Sequence, residues 1–218
     1  MNSTTKTKSF DEFVLEKKIV GFSEDPFTLA SGKKSHFYVN WRECSEDLAS
    51  FYELLFLIVP LVKKEFPEAD CFYGVPEGGT KLGLFLQYEI FAKAAFEKKE
   101  TVPFAMGRAK PKERGPIGSR FFLGMPKGKT VIVEDVATTG ESLLKALEVL
   151  KDCPECLPVG VVVLTDRGGK TSEGRFLKDV LKEKNIKYIA LTKGKDLLSQ
   201  MKIPEDIFKK IQGEFENE

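Results

Sequence analysis

Two acids, Glu134 and Asp135, stand side by side, and the small and hydroxyl residues Ala137-Thr138-Thr139-Gly140-Glu141-Ser142 follow almost at once. Ionised carboxylates only accept hydrogen bonds, so a neighbouring pair suits a ligand rich in hydroxyl donors, such as a ribose ring. The run behind them has the composition of a tight turn into a helix. There, backbone N–H groups converge on one anion and the helix dipole adds favourable potential. Thr138, Thr139 and Ser142 add hydroxyl donors, and Gly140 permits close backbone approach. A bare phosphate would be repelled by the acids, whereas a sugar carrying a phosphate satisfies both halves of the segment. The plainer alternative is a buried strand whose polar residues cap the next helix, but capping does not require paired acids before the turn.

Other segments carry chemistry of their own. Asp166-Arg167-Gly168-Gly169 follows an apolar run, and a guanidinium there can engage a carboxylate through two bonds at once, or simply brace the turn. Arg108, Lys110, Lys112 and Arg114 place four cations within seven positions just before Gly115 and Pro116. Such a run is either a solvated face or a loop that closes over an anionic substrate. Tyr38, in Ser35-His36-Phe37-Tyr38-Val39, offers a flat surface to a planar base. His36, the sole histidine, reads as an ordinary polar strand residue rather than a base catalyst. Cys153-Pro-Glu-Cys156 has the spacing of half a zinc site or a redox pair. Only Cys44, Cys71 and His36 remain as further soft ligands, so structural loop cysteines are expected and no metal site is assigned.

These residues need a scaffold that brings them together. Val131-Ile132-Val133 reads as a buried strand, and Leu143, Leu144, Ala146, Leu147, Val149 and Leu150 as the helix behind the turn. Phe10, Phe13, Val14 and Ile19 suggest a first helix, and Phe27–Leu29 and Phe37–Val39 short strands joined at Ser31-Gly32. Leu48–Phe66 predicts a long helix with Leu54, Leu55, Ile58 and Leu61 on its apolar stripe. Beyond it, strands at Cys71–Tyr73, Val102–Met106, Lys129–Val133, Val159–Leu164 and Ile186–Leu191 alternate with helices at Thr80–Phe96, after Ser142 and near Phe176–Lys184. That alternation predicts an α/β fold, a parallel sheet covered on both faces, with its ligands at the carboxyl ends of the strands. Gly74–Thr80, Ala137–Ser142 and Thr165–Lys170 all fall at such ends.

Composition narrows the class. A chain of 218 residues supports one substantial core. Its net charge of +1 lacks the basic excess that nucleic-acid binding usually needs. Hydrophobic content of 42% and charged content of 31% are ordinary for a globular domain. The polar stretch Met1 to Asp11 has no apolar signal core, and the greasiest run, Phe51 to Val62, is too short to span a bilayer. A cytoplasmic protein with no membrane or nucleic-acid partner is expected.

Val131 to Ser142 resembles the phosphoribosyl-pyrophosphate (PRPP) motif of class I phosphoribosyltransferases, and differs from a Walker A loop and from the Gly-x-Gly-x-x-Gly turn. With the Ser-Gly-x-x-Ser-x-x-Tyr-x-x-x-Arg start at Ser31, the basic loop and the late Asp-Arg, nearly the whole chain is similar to the orotate phosphoribosyltransferase family. The resemblance implies a phosphoribosyltransferase-like sheet with a base-binding N-terminal hood at 1–45 and a core with C-terminal helices at 46–218. It implies transfer of the phosphoribosyl group of PRPP to orotate, with Mg²⁺ bound mainly through PRPP. Glu134 and Asp135 would hold the ribose hydroxyls, and Val136, Ala137, Thr138, Thr139, Gly140, Glu141 and Ser142 would wrap the 5-phosphate. Tyr38, Val39, Thr138 and Arg167 would meet orotate. Arg108, Lys110, Lys112 and Arg114 would serve the pyrophosphate across a homodimer, with Lys112 and Asp135 the residues closest to catalysis.

The pattern has departures. Arg114 stands where the family loop usually has histidine, which keeps positive charge and loses proton donation near neutral pH. Glu77 brings negative charge to the Gly74–Lys81 turn, where Lys81 could compensate. Two other readings stay open: transfer to another base such as a purine, and a PRPP-sensing regulatory protein without catalysis.

Overall fold

The computed structural model describes residues 8–29, 32–98 and 101–217. Ser31, part of the early motif, lies outside them. In chain order the elements are α1 (Phe10–Glu16), β1 (Val20–Thr28), β2 (Lys34–Val39), α2 (Trp41–Cys44), α3 (Leu48–Glu65), β3 (Cys71–Gly74) and α4 (Thr80–Lys98). There follow β4 (Met106–Gly107), α5 (Ile117–Phe121), β5 (Phe122–Gly124), β6 (Gly128–Ala137), α6 (Glu141–Lys151), β7 (Cys156–Asp166), α7 (Leu177–Glu183), β8 (Lys187–Lys193), α8 (Gly194–Leu198) and α9 (Glu205–Asn217).

Among the described residues, β3, β6, β7 and β8 form a parallel sheet in the order β3-β6-β7-β8. Its strands alternate between two apolar clusters, as the two-residue side-chain period demands. Phe72, Val131, Val133, Val162 and Leu164 face a core shared with α1, α2, α3, α4, α8 and α9. Cys71, Ile132, Val161 and Val163 face a second core shared with α6 and α7. Strands buried on both faces account for the continuous β-branched runs in the sequence. Helix α4 approaches β3 very closely, because a Cβ on Gly83 would lie 2.4 Å from the Gly74 nitrogen. This contact holds the turn after β3 against the sheet.

Hairpin β1–β2 lies outside the parallel sheet and pairs antiparallel from Val20–Val39 to Thr28–Lys34, with an irregularity between Phe22 and Phe27. It begins well before the expected strand at Phe27. Its Phe37 side chain is nonetheless fully buried in the same cluster as the sheet residues, alongside Leu197 and Ile211 of the C-terminal helices.

Two sequence expectations fail for physical reasons. Val102–Met106 is not a strand of the main sheet; only Met106–Gly107 is extended, paired antiparallel with β5. Pro103 has no N–H for a ladder. Its carbonyl accepts instead from the buried Gln87 side chain, which also takes the Ala105 N–H at 3.2 Å. On α3, the buried stripe runs Phe51, Leu54, Leu55, Ile58 and Val62, so Leu61 falls on the flank and is 37% exposed.

Candidate active site

Three strand ends converge, as the spacing predicts. The Val75 N–H donates to the Val133 carbonyl at 2.8 Å, tying the turn after β3 to β6. The Arg167 N–H donates to the Ala137 carbonyl at 2.8 Å, tying the loop after β7 to the loop after β6. A Cβ on Gly169 would sit 2.6 Å from the Thr138 carbonyl, so the two loops also touch through glycine.

Glu134 and the small-residue turn enclose one cleft. Glu134, residues 136–143 and Lys145 line a space of about 290 Å³. Gly140 is left-handed, with φ of 80°, and a Cβ there would meet the Leu177 side chain at 2.7 Å. Glycine is therefore required both for the turn and for the space. The N-cap of α6 is Gly140, which has no side chain to bond the first N–H groups of the helix.

The structure divides the expected ligand residues into groups. Asp135 accepts from the Val136 N–H at 2.8 Å and lies against Gly78, where any Cβ would come within 2.3 Å of its carboxylate. Glu134 is almost fully buried. Burial first, and then the Asp135 carboxylate beside it, pushes its carboxyl up to about 9. Glu141 turns its carboxylate to the Ser172 N–H at 2.9 Å, a bond that holds it below the usual carboxylate range. It braces the loop after β7 while its backbone stays at the start of α6.

The basic loop forms a narrow extension beyond β4 and β5. The Arg108 N–H donates to the Phe121 carbonyl at 2.8 Å, its Nε to the Ser119 carbonyl at 3.1 Å, and the Lys112 N–H to the Arg120 carbonyl at 3.0 Å. Arg108 borders a second cleft, of about 320 Å³, between this loop and α6. Lys110, Lys112 and Arg114 are exposed and border neither cleft. Lys81 donates to the Ser45 carbonyl at 2.8 Å, away from the role of offsetting Glu77.

Beside hairpin β1–β2, Arg167 is only 3% exposed. Its Nη1 donates to the Phe37 carbonyl at 2.7 Å and its Nη2 to Ser35 Oγ at 2.9 Å, with the guanidinium 5.4 Å from the Phe37 ring centre. Arg167 thus braces β2 from within. Tyr38 lies over Gly21 and meets Phe27 edge-on at 6.2 Å, and Val39 packs on the large core. Thr138 is half-buried beside Gly169.

Sequence reasoning missed two features. Lys145, one helical turn past Glu141, borders both clefts and adds a cation to each. Its i+4 spacing from Glu141 was the available signal. The second is Glu214 on α9, with no local signal at all. It accepts from Ser35 Oγ at 2.7 Å and from the His36 N–H at 2.9 Å, and its Oε1 meets His36 Nδ1 at 2.6 Å. His36 is therefore a polar strand residue held by the C-terminal helix. Glu214→Ala leaves those donors without a carboxylate, and charge-assisted bonds are worth about 1.5–3 kcal/mol. We expect a melting temperature lower by roughly 3–10 °C for a chain of this size. An unchanged melting curve would show that the contact adds nothing.

The cysteines stay apart from the clefts. Cys153 donates to the Val149 carbonyl at 3.8 Å and Cys156 to Thr130 Oγ1 at 3.4 Å. Burial pushes the Cys153 thiol up to about 11, the reverse of an activated thiolate. Among the described residues, no group of three or more His, Cys, Asp or Glu side chains is placed to hold a metal ion.

Known proteins carry the same pattern. A phosphoribosyl transferase domain matches residues 90–196. The orotate phosphoribosyltransferase of Streptococcus pyogenes serotype M1 is 33% identical over 186 residues, covering 83% of this chain and 78% of the relative. The chain belongs to the orotate phosphoribosyltransferase family. Another member of the family, from Aeropyrum pernix, is 30% identical over 148 residues, 67% of this chain and 73% of its own. The crystal structure of the Francisella tularensis orotate phosphoribosyltransferase has the same fold, with a TM-score of 0.65 at 22% identity over 100% of this chain and 98% of that one.

Proposed function

We propose that this enzyme transfers the 5-phosphoribosyl group of PRPP to N1 of orotate, releasing pyrophosphate and giving orotidine 5'-monophosphate for pyrimidine (UMP) synthesis. One observation carries the reading: the uncapped loop at α6 and the buried Arg167 form one hydrogen-bonded unit through the Ala137 carbonyl. A phosphate on the loop and a base under the hood are then held at a set separation.

PRPP enters as its magnesium complex, with the ion carried on substrate oxygens. The N–H groups of 138–142 and the hydroxyls of Thr138, Thr139 and Ser142 bind the 5-phosphate, and Asp135 orients the ribose hydroxyls. Tyr38, Val39, Thr138 and Arg167 form the base side, within a hood at 1–45 set on the 46–218 core. Orotate N1 displaces pyrophosphate through an oxocarbenium-like transition state, so positioning and electrostatic stabilisation dominate. Arg108, Lys110, Lys112 and Arg114 neutralise the leaving pyrophosphate, delivered from the neighbouring subunit of a homodimer. The site of action is the cytoplasm; among the described residues no helix is long and apolar enough to cross a membrane.

The test mixes the purified chain with PRPP, Mg²⁺ and a panel of bases and follows pyrophosphate release. Release that depends on orotate supports the reading. Release with a purine only would overturn the substrate, and tight PRPP binding without release for any base would favour a regulatory role. In the same assay Asp135→Asn is expected to weaken PRPP by roughly 1.5–3 kcal/mol, about 10–150-fold, through loss of a charge-assisted bond. Calorimetric affinity equal to wild type would remove Asp135 from the ribose contact.

A further inference from the structure

The two acids are neighbours in sequence but not equals in the fold. Glu134 is 5% exposed, yet it lines the phosphate cleft together with the loop and Lys145. Its Oε2 has no hydrogen-bond partner. A buried polar oxygen left unpaired needs an explanation, and a ligand bound in the adjoining cleft supplies one.

The charges around it do not favour a carboxylate. Asp135, of like sign, acts on it from its own strand. The β7 residue paired with it is Val163, and on β3 the nearby ionisable group is Tyr73, whose phenol burial pushes up to about 12. From α6, Lys145 and Glu141 border the cleft; Lys145 is exposed, where its field is screened, and the half-buried Glu141 carboxylate is of like sign and held by the Ser172 N–H. A lone buried carboxylate neutralises rather than remain charged under such conditions.

We propose that Glu134 meets the phosphoribosyl donor as a neutral carboxylic acid. Its carboxyl group, at the cleft wall, donates to an oxygen of the phosphoribosyl group, and Asp135 alone supplies the negative charge for the ribose hydroxyls. This rests on the phosphoribosyl reading of the cleft and deepens it, because a neutral acid removes the repulsion that two carboxylates would exert on a phosphate. The proton stays on Glu134 throughout, so binding changes no bond order and requires no proton acceptor.

Infrared difference spectra of the free protein, wild type against Glu134→Gln, read the protonation state directly. The expected result is a carboxylic-acid carbonyl band at neutral pH that disappears in the variant. Calorimetry with magnesium–PRPP then reads the donor role. Glu134→Gln, which keeps a neutral donor, should bind within about threefold of wild type, while Asp135→Asn loses about tenfold or more. Both proteins with glutamate or glutamine at 134 should release the same number of protons on binding. The sign of the stability effect is also set. Only the folded protein holds this proton between about 4.5 and about 9, so wild type loses stability relative to Glu134→Gln as pH rises through that window.

A missing acid band, or a Glu134→Gln affinity as poor as that of Asp135→Asn, would overturn the inference by itself. Failure of wild type to bind PRPP would instead overturn the phosphoribosyl reading and the donor role together.

Discussion

Lys112→Ala is expected to cut turnover about a thousandfold, which is about 4 kcal/mol of transition-state stabilisation. Its affinity for PRPP should change far less. The reason is where charge develops. As the bond to C1 breaks, negative charge accumulates on pyrophosphate, and a cation that reaches it only in the closed state acts mainly on the transition state. In the structure Lys112 is exposed on a loop pinned by its own N–H to the Arg120 carbonyl, 3.0 Å away. Removing its side chain takes nothing from either core, so the melting temperature should hold. Measuring kcat beside a calorimetric PRPP affinity separates the two effects. Near-normal turnover would exclude the lysine from the chemistry.

Arg167→Ala should show the opposite profile, losing stability and base recognition together. The guanidinium is the donor to the buried Phe37 carbonyl and to Ser35 Oγ, and it lies over the Phe37 ring. Alanine removes a charged donor from each, worth about 1.5–3 kcal/mol per bond, while Ser35 Oγ still donates to the Phe37 carbonyl at 2.9 Å and accepts from the Phe37 N–H at 3.1 Å. A fall of roughly 2–5 kcal/mol in unfolding free energy is expected. The Michaelis constant for orotate should rise as well, because in the proposed reading the same bonds set the β1–β2 hairpin against the base. Arg167→Lys restores charge without the planar fork and should recover only part of either property. Wild-type stability combined with an unaltered orotate Michaelis constant would remove both roles.

These two residues illustrate what is legible in a chain and what is not. Lys112 could be chosen from sequence because its role depends on charge and loop position, both local properties. Arg167 could be flagged beside an apolar run, but its bracing of β2 across 130 residues could not, since neither segment carries a mark of the other. The same holds for Glu214 and His36, separated by 178 positions.

The amino-acid order alone determined the alternation of strands and helices, the turn at Gly140 and the family pattern of acids and hydroxyls. Each is governed by short-range rules of periodicity, backbone freedom and capping. The tertiary structure decided that Pro103 leaves the sheet, that Val62 replaces Leu61 in the core, and that Lys145 joins the cleft. It also decided how the paired acids differ. Glu134 and Asp135 have nearly the same chemistry and adjacent positions, but one is almost fully buried at the wall of the cleft while the other borders Gly78. Water exclusion, which depends on what the rest of the chain covers, raises the proton affinity of Glu134.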